Sequence, residues 1–217
     1  MLKEPIPELE GKNIAILAMG NSQLDYHKMV THSKKFDEVW AINAMIGVLK
    51  RIDRADAGNM TVMMKETLPT ADYPIYTCEL DKRVKALEEY PIKEVVTDLD
   101  CGYFNNTISY AIAFALWNKV GGVNMFGADF TYKGNLYFAE QGRGCCEFWL
   151  AKCIDAGIIV QVALTSGLLD ADVPIQEKLY GYHRLEDPYV TYMIEDKLKI
   201  CRWSEVEKQQ AIPIGLV

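Results

Sequence analysis

Short apolar runs that recur along the chain limit its possible folds more than any other feature. Residues 13–19, NIAILAM, are apolar almost throughout, and the runs at 37–45, 123–130 and 158–164 resemble it. Unbroken runs of this length are typical of strands that are buried on both faces of a parallel sheet. A chain with several such runs needs helices on both sides of one sheet.

Helical segments fall between these runs, at 22–36, 105–120 and 144–157. The segment at 105–120 is apolar around most of its circumference, which predicts a largely buried helix. This alternation predicts an α/β fold with a Rossmann-like, doubly wound and mostly parallel sheet. We expect residues 1–182 to form a Rossmann-like nucleotide-binding domain and residues 183–217 a small C-terminal extension packed on it.

The middle of the chain has weaker patterns. Residues 60–64 and 72–80 predict two further strands, and residues 81–90 show a short helical pattern that stops before Pro91. Residues 92–99, IKEVVTDL, contain three β-branched residues in a row and predict an extended segment.

Charge and composition exclude several classes of protein. The 217 residues carry a net charge of −7 without a basic run, so binding to nucleic acid is unlikely. None of the six cysteines forms a C-x-x-C pair, and the three histidines lack the spacing of zinc ligands, so no zinc site is predicted and no metal ligand is assigned. Residues 1–13 lack the apolar core of a signal peptide, and the longest apolar stretch, 110–117, is too short to span a bilayer. We expect a cytoplasmic protein without a membrane partner, and homo-oligomerisation stays open.

Polar residues stand where the predicted strands end and the helices begin. Ligands of doubly wound sheets bind outside the carboxyl ends of the strands. The candidates there are Gly20, Asn21, Ser22, Asn43, Asn106, Thr107, Asp129 and Ser166.

Each of these residues has two interpretations. The Gly-Asn-Ser turn is either an anion-binding turn before a helix or a plain turn with Ser22 as N-cap. Asn43 either binds a sugar hydroxyl or caps a turn, and Asn106 and Thr107 either line a site or cap their helix. Asp129 either binds a hydroxyl, a metal or a base, or caps a helix or a turn.

Residues 139–149, AEQGRGCCEFW, contain the other charged candidates. Arg143 and Glu147 are one helical turn apart and can form an ion pair. In a turn flanked by glycines, Arg143 could instead face an anionic ligand. Glu140, and His183 further along the chain, are candidates for a catalytic base.

These motifs, in this order, resemble a known superfamily. The segments AILAMGNSQLD, WAIN, NNTISYAIAFAL and VNMFGADFTYKGNLYF resemble the strand ends and helix starts of a Rossmann-like superfamily. It contains the small bacterial sialyltransferases and the motility accessory factor/6-hydroxymethylpterin pyrophosphokinase-like proteins. The set is also similar to uncharacterised bacteriophage proteins, which would put the protein in a host cytoplasm. The resemblance covers about residues 12–182.

The resemblance implies a nucleotide or nucleotide-sugar ligand at the strand ends. Gly20, Asn21 and Ser22 would hold phosphate and sugar, and Asn43 would meet the donor. Asn106 and Thr107 would line the site, while Asp129 and Tyr132 would flank the transferred group. This chain lacks the second Gly and the Pro of the first motif, and it lacks the histidine base that follows the aspartate in the sialyltransferases.

Three functions follow as hypotheses. The first is a glycosyltransferase-like transferase with a nucleotide sugar as donor substrate, in which Asp129, Glu140 or His183 is the base. The second is a pyrophosphoryl or nucleotidyl transferase that needs Mg²⁺ held by carboxylates. Asp129 and Glu140 are its candidate ligands, with Asp98 and Asp100 behind them. The third is a nucleotide-binding protein without catalysis.

Overall fold

The fold is taken from a computed structural model that describes residues 3–57, 68–132, 134–174, 189–194, 197–202, 205 and 213–215. Seven parallel strands form the central sheet. They are β1 (Asn13–Leu17), β2 (Glu38–Ile42), β3 (Arg54–Asp56), β4 (Ile75–Thr77), β5 (Leu87–Glu89), β6 (Gly122–Phe126) and β7 (Ile159–Val162). Their order in the sheet is β5-β4-β3-β2-β1-β6-β7, and every neighbouring pair is parallel. The predicted α/β, doubly wound sheet is therefore confirmed.

Four α-helices lie between the strands among the described residues. They are α1 (Gln23–Thr31), α2 (Ile92–Leu99), α3 (Thr107–Trp117) and α4 (Leu136–Asp155). Short 3₁₀ helices occur at Pro7–Leu9, Asn43–Gly47, Leu68–Thr70 and Leu168–Asp170.

The apolar strands are explained by the two cores that they separate. On β1, Ile14 and Ile16 belong to one hydrophobic cluster, while Ala15 and Leu17 belong to the other. The first cluster contains α3 and much of α4, and the second contains Tyr26 of α1. Because alternate side chains of a strand point to opposite faces, burial on both faces requires an unbroken apolar run.

Two predictions for the middle of the chain are wrong. Within residues 81–90, predicted as helical, Leu87–Glu89 form strand β5, which pairs with β4 at the edge of the sheet. Residues 92–99, predicted as extended, form helix α2. The positions of Ile92, Val95 and Leu99 place one apolar face against the core, and this packing outweighs the strand preference of β-branched residues.

The described residues also contain a strand that the sequence did not predict. The strand predicted at 60–64 lies outside the described residues, whereas Arg54–Asp56 form β3, which was not predicted. In the predicted C-terminal extension, β8 (Tyr189–Ile194) pairs antiparallel with β9 (Lys197–Arg202) and β10 (Pro213–Gly215). The predicted boundary at residue 182 lies outside the described residues.

Candidate functional site

The strand order reverses between β1 and β6, and a cavity of about 500 Å³ lies beside their carboxyl ends. Two backbone hydrogen bonds join the turns that follow these strands. Ala18 N–H donates to Phe126 O at 2.9 Å, and Gly20 N–H donates to Gly127 O at 2.8 Å. The cavity therefore occupies the topological switch point, where doubly wound proteins bind their ligands.

Predicted site residues from four different segments line this cavity. They are Gly20, Asn43, Asn106, Thr107, Asp129 and Tyr132. Among the described lining residues there is no Lys or Arg, so amides and hydroxyls are the donors that a ligand would meet.

Ser22 and Asp129 tie the turn after β1 to the turn after β6. Ser22 is fully buried, and its hydroxyl donates to Asp129 Oδ1 while its amide N–H donates to Asp129 Oδ2 at 2.9 Å. The same hydroxyl accepts a 2.7 Å hydrogen bond from Gly127 N–H. Ser22 is thus neither a side-chain cap of α1 nor a wall of the cavity, because both of its donors are used inside the protein.

Gly20 is required by this close approach of the two turns. A Cβ atom at Gly20 would lie 2.5 Å from Asp129 Oδ2 and 2.6 Å from Gly127 O, distances that real Cβ atoms essentially never show. The glycine brings the β1 turn next to Asp129, which is 7% exposed and lines the cavity.

Helix α3 begins at the cavity. Asn106 is its N-cap, with a side-chain oxygen that accepts from Ser109 N–H at 3.0 Å, and its Nδ2 donates to Gly142 O of α4 at 3.2 Å. Thr107 and Ile108 of the first turn line the cavity. The first N–H groups of a helix have no acceptor within the helix, and they carry the positive end of its dipole.

Asn43 directly follows β2 and adopts a left-handed conformation, with φ of 51°. Asparagine adopts this conformation more readily than most residues. The resulting turn places Asn43 at the wall of the cavity, between the β1 turn and the start of α3.

Aromatic residues form the remaining wall. Tyr132 and Phe138 make an edge-to-face contact with ring centroids 5.4 Å apart, and both are about half exposed. Phe130 lies against Gly142 of α4, where a Cβ atom would be 2.7 Å from the Phe130 ring. Exposed aromatic rings beside a cavity can stack on a sugar or a base.

The other sequence-predicted residues do not line this cavity. Asn21 and Glu140 are exposed outside its lining, and His183 lies outside the described residues. Ser166 is buried and donates to Ala128 O at 3.2 Å, so it supports the turn after β6. The position of Glu140 follows from the early start of α4 at Leu136, which places residues 139–143 on the helix that was predicted to begin at 144.

Arg143 is engaged by two carboxylates. It forms an ion pair with Glu147 at 2.8 Å, one helical turn away, and a second ion pair with Asp170. The predicted pairing with Glu147 is confirmed, and the Gly-flanked turn that would face an anion is replaced by a helix.

A second cavity, of about 460 Å³, adjoins the first and contains a residue that sequence reasoning missed. Asp56 ends β3 and lines this cavity, and it is 3% exposed. Burial raises the pKa of Asp56 to about 8. An acidic residue at the end of a strand was the available signal, but the third strand had been predicted at 60–64.

The described residues contain neither a cluster of metal ligands nor a membrane-spanning helix. No group of three or more His, Cys, Asp or Glu side chains in this part of the chain could hold a metal ion. No helix in the same part of the chain is long and apolar enough to cross a membrane.

The geometry defines a doubly wound α/β protein with two adjoining cavities at the carboxyl edge of its sheet. No protein-family model matches the chain, and no curated protein matches it significantly. Among solved structures, the chain is similar to the sialyltransferase CstII from Campylobacter jejuni in complex with a substrate analogue, CMP-3FNeuAc. The match has 11% sequence identity and a TM-score of 0.46, and it covers 92% of this chain and 99% of the other.

Proposed function

We propose that the protein binds a nucleotide at the switch point and acts as a glycosyltransferase-like transferase with a nucleotide sugar as donor. The observation that carries this proposal is the 500 Å³ cavity between the β1 and β6 turns, with the first turn of α3 as its wall. Cavities of this size accommodate small organic ligands, and a helix N-terminus favours a phosphate.

The phosphate would lie at the start of α3. The N–H groups of Thr107 and Ile108 and the Thr107 hydroxyl are the donors nearest to the helix end. Asn43 also lines this cavity. These donors would stabilise the charge that develops on a departing nucleotide phosphate, as donors aimed at a leaving group do in other enzymes.

Asp129 would have a positioning role in this site. Both of its carboxylate oxygens accept hydrogen bonds from Ser22, so its main contribution is to hold the β1 turn against the cavity. The remaining lone pairs can still accept a hydroxyl of the ligand. The exposed ring of Tyr132 would cover the sugar or the base.

A nucleotide-binding protein without catalysis is the second candidate. Asp129 is the carboxylate among the described residues that line the first cavity. Its oxygens already accept hydrogen bonds from Ser22, which favours binding without catalysis. The Mg²⁺-dependent pyrophosphoryl or nucleotidyl transfer stays a prediction. One of its candidate residues, Asp98, accepts a hydrogen bond from Trp117 Nε1 at 2.7 Å.

A binding screen tests the proposal. Thermal unfolding is followed with cytidine, uridine, adenosine and guanosine nucleotides and with their sugar conjugates. A ligand present at a hundred times its Kd stabilises the folded state by about 2.7 kcal/mol, which is readily measured. No stabilisation by any nucleotide or conjugate would overturn the proposal.

Matched variants locate the site. Thr107→Val removes one hydroxyl from the cavity and is expected to weaken binding by about five- to tenfold, the value of about one hydrogen bond. Thr97→Val, on the exposed side of α2, is the control and should bind like the wild type. Equal affinities of the wild type and both variants would place the nucleotide elsewhere. Release of free sugar from a bound conjugate, or its transfer, distinguishes a transferase from a binding protein.

A further inference from the structure

The second cavity lies at the carboxyl ends of β3 and β4, beside the proposed nucleotide site. It shares Asn43, Asn105, Asn106 and Thr107 with the first cavity. Groups bound in the two cavities would therefore lie next to each other.

Asp56 is the carboxyl group of this cavity, and no described residue forms a hydrogen bond or an ion pair with its side chain. Asp56 is 3% exposed, and the backbone of its strand, β3, pairs with β2 on one side and β4 on the other. Among the described residues, no side-chain oxygen or nitrogen that is fully sealed from solvent lacks a partner. The unpartnered oxygens of Asp56 therefore reach the open space of the cavity.

The charged and titratable groups around Asp56 give the cavity an acidic character. Asp56 itself raises the pKa of Tyr90, Tyr76 and Cys78, in each case after the larger effect of burial. The exposed carboxylates of Glu79 and Glu89 also raise the pKa of Cys78, and Glu88 acts in the same way on Tyr76. The pKa of Tyr110, on the α3 side, is raised by burial and by the two cysteines Cys78 and Cys145.

Arg54 is the cation that reaches this group of residues, and it is neutralised by another carboxylate. Its Nε donates to Glu38 Oε2 at 2.8 Å, and its Nη1 donates to Tyr76 Oη at 3.2 Å. The Glu38 side chain is 8% exposed and also binds Lys12. Arg54 therefore forms its ion pair with Glu38, at the amino end of β2, and not with Asp56.

The walls of the cavity contain aromatic residues in addition to the carboxyl group. Tyr76, Tyr90, Phe104 and Tyr110 all line it. Aromatic rings attract cations, and the attraction is larger where water is excluded. Among the described residues, an anion would meet carboxylates without a cation to balance them, whereas a cation would meet a carboxyl group that has no described partner.

We propose that the second cavity is a binding site for an ammonium group, with Asp56 as its carboxylate partner. The ammonium belongs to a second substrate or to the part of the ligand that extends from the first cavity, such as an amino sugar. Its N–H groups would donate to the Asp56 oxygens, and the aromatic walls would exclude water from this ion pair. The site needs no nucleotide, so this inference is tested separately from the proposed function.

Binding of an ammonium has a measurable consequence at Asp56. Burial raises the pKa of this carboxyl group to about 8, so the group stays protonated at lower pH. An ammonium in contact with the group favours its charged form, so binding releases the proton and lowers the pKa of Asp56. A neutral ligand of the same shape has no such effect.

The experiment uses the full chain labelled with ¹³C at the aspartate carboxyl carbons. The Asp56 signal is assigned as the one that Asp56→Asn removes, and it is titrated from about pH 6 to about pH 9.5. The probes are methylammonium chloride, potassium chloride at the same ionic strength, and methanol as the neutral counterpart. Glucosamine and glucose form a second matched pair.

The proposal expects methylammonium and glucosamine to lower the midpoint of the Asp56 titration by at least about half a pH unit. Potassium chloride, methanol and glucose should leave it unchanged. In Asp56→Asn the affinity for glucosamine should fall at least about tenfold, whereas Asp72→Asn, at an exposed position outside the cavity, should bind like the wild type. An unchanged midpoint with both amines, or equal shifts with amines and neutral probes, would overturn the proposal, whether or not nucleotides bind.

Discussion

The replacement of Asp56 by asparagine should stabilise the protein in alkaline solution. The pKa of Asp56 rises from its ordinary value of 3.8 to about 8 because burial disfavours its charged form, and no described residue is bonded to its side chain. Between these two values the folded state holds a proton that the unfolded state has released. The stability linked to this group is therefore fully present below pH 3.8 and is lost as the pH rises through about 8.

The size of this effect follows from the width of the pH window. One proton of difference changes the free energy of unfolding by about 1.4 kcal/mol for each pH unit, so the window from 3.8 to about 8 corresponds to up to about 6 kcal/mol. Asparagine has nearly the same shape and no ionised form. The variant should thus resemble the wild type near the lower end of the window and exceed it in stability by several kcal/mol above the upper end.

Urea unfolding of both proteins, followed by circular dichroism across this pH window, measures the difference. The subtraction removes every other titrating group, including Glu38, because those groups are common to both chains. Parallel stability curves for the two proteins would refute the reasoning, since they would mean that Asp56 has the same pKa in the folded and the unfolded state. Asp72→Asn, an exposed control, should show no such dependence.

Three further substitutions probe the site and its support. Gly20→Ala places a Cβ atom 2.5 Å from Asp129 Oδ2, so the free energy of unfolding in urea should fall by about 1–3 kcal/mol and nucleotide binding should weaken. A variant as stable as the wild type would mean that the two turns separate freely. For Glu38, burial alone would raise the pKa, but hydrogen bonds from Lys12, Trp40 and Arg54 outweigh it and lower the value. Glu38→Gln should therefore lose about 3 kcal/mol at neutral pH and progressively less as the pH falls below the ordinary pKa of 4.5, with Glu10→Gln as an exposed control. Arg143→Ala should reduce stability by about 1 kcal/mol and leave nucleotide affinity unchanged, because its two ion pairs are internal; a selective loss of affinity would restore its interpretation as an anion ligand.

The sequence predicted the strands and helices whose environment is uniform. β1 and β6 are buried on both faces, so almost every residue in them must be apolar, and the run itself identifies them. Helix α3 was equally clear because most of its circumference is buried. Since parallel strands end at one edge of the sheet, the sequence also indicated that Gly20, Asn43 and Asp129 would lie near one another.

Elements that depend on contacts with a neighbour were predicted wrongly or missed. β5 is an edge strand whose two glutamates are exposed, and its backbone bonds to β4 hold it in place. The three residues of β3 are too few to show a pattern. α2 shows the correct spacing of apolar residues, but its β-branched composition suggested a strand.

The sequence by itself determined the class of fold and the edge of the sheet where a ligand would bind, because burial on two faces and parallel connections leave few alternatives. Tertiary structure alone decided what each polar residue does there. Ser22 became an internal tie because Asp129, 107 positions away, takes both of its donors. Asp56 lines a cavity and has no ion pair there, because no cation from any other described segment reaches it. A side chain's partners are set by the packing of distant segments, and its pKa and availability to a ligand follow from those partners.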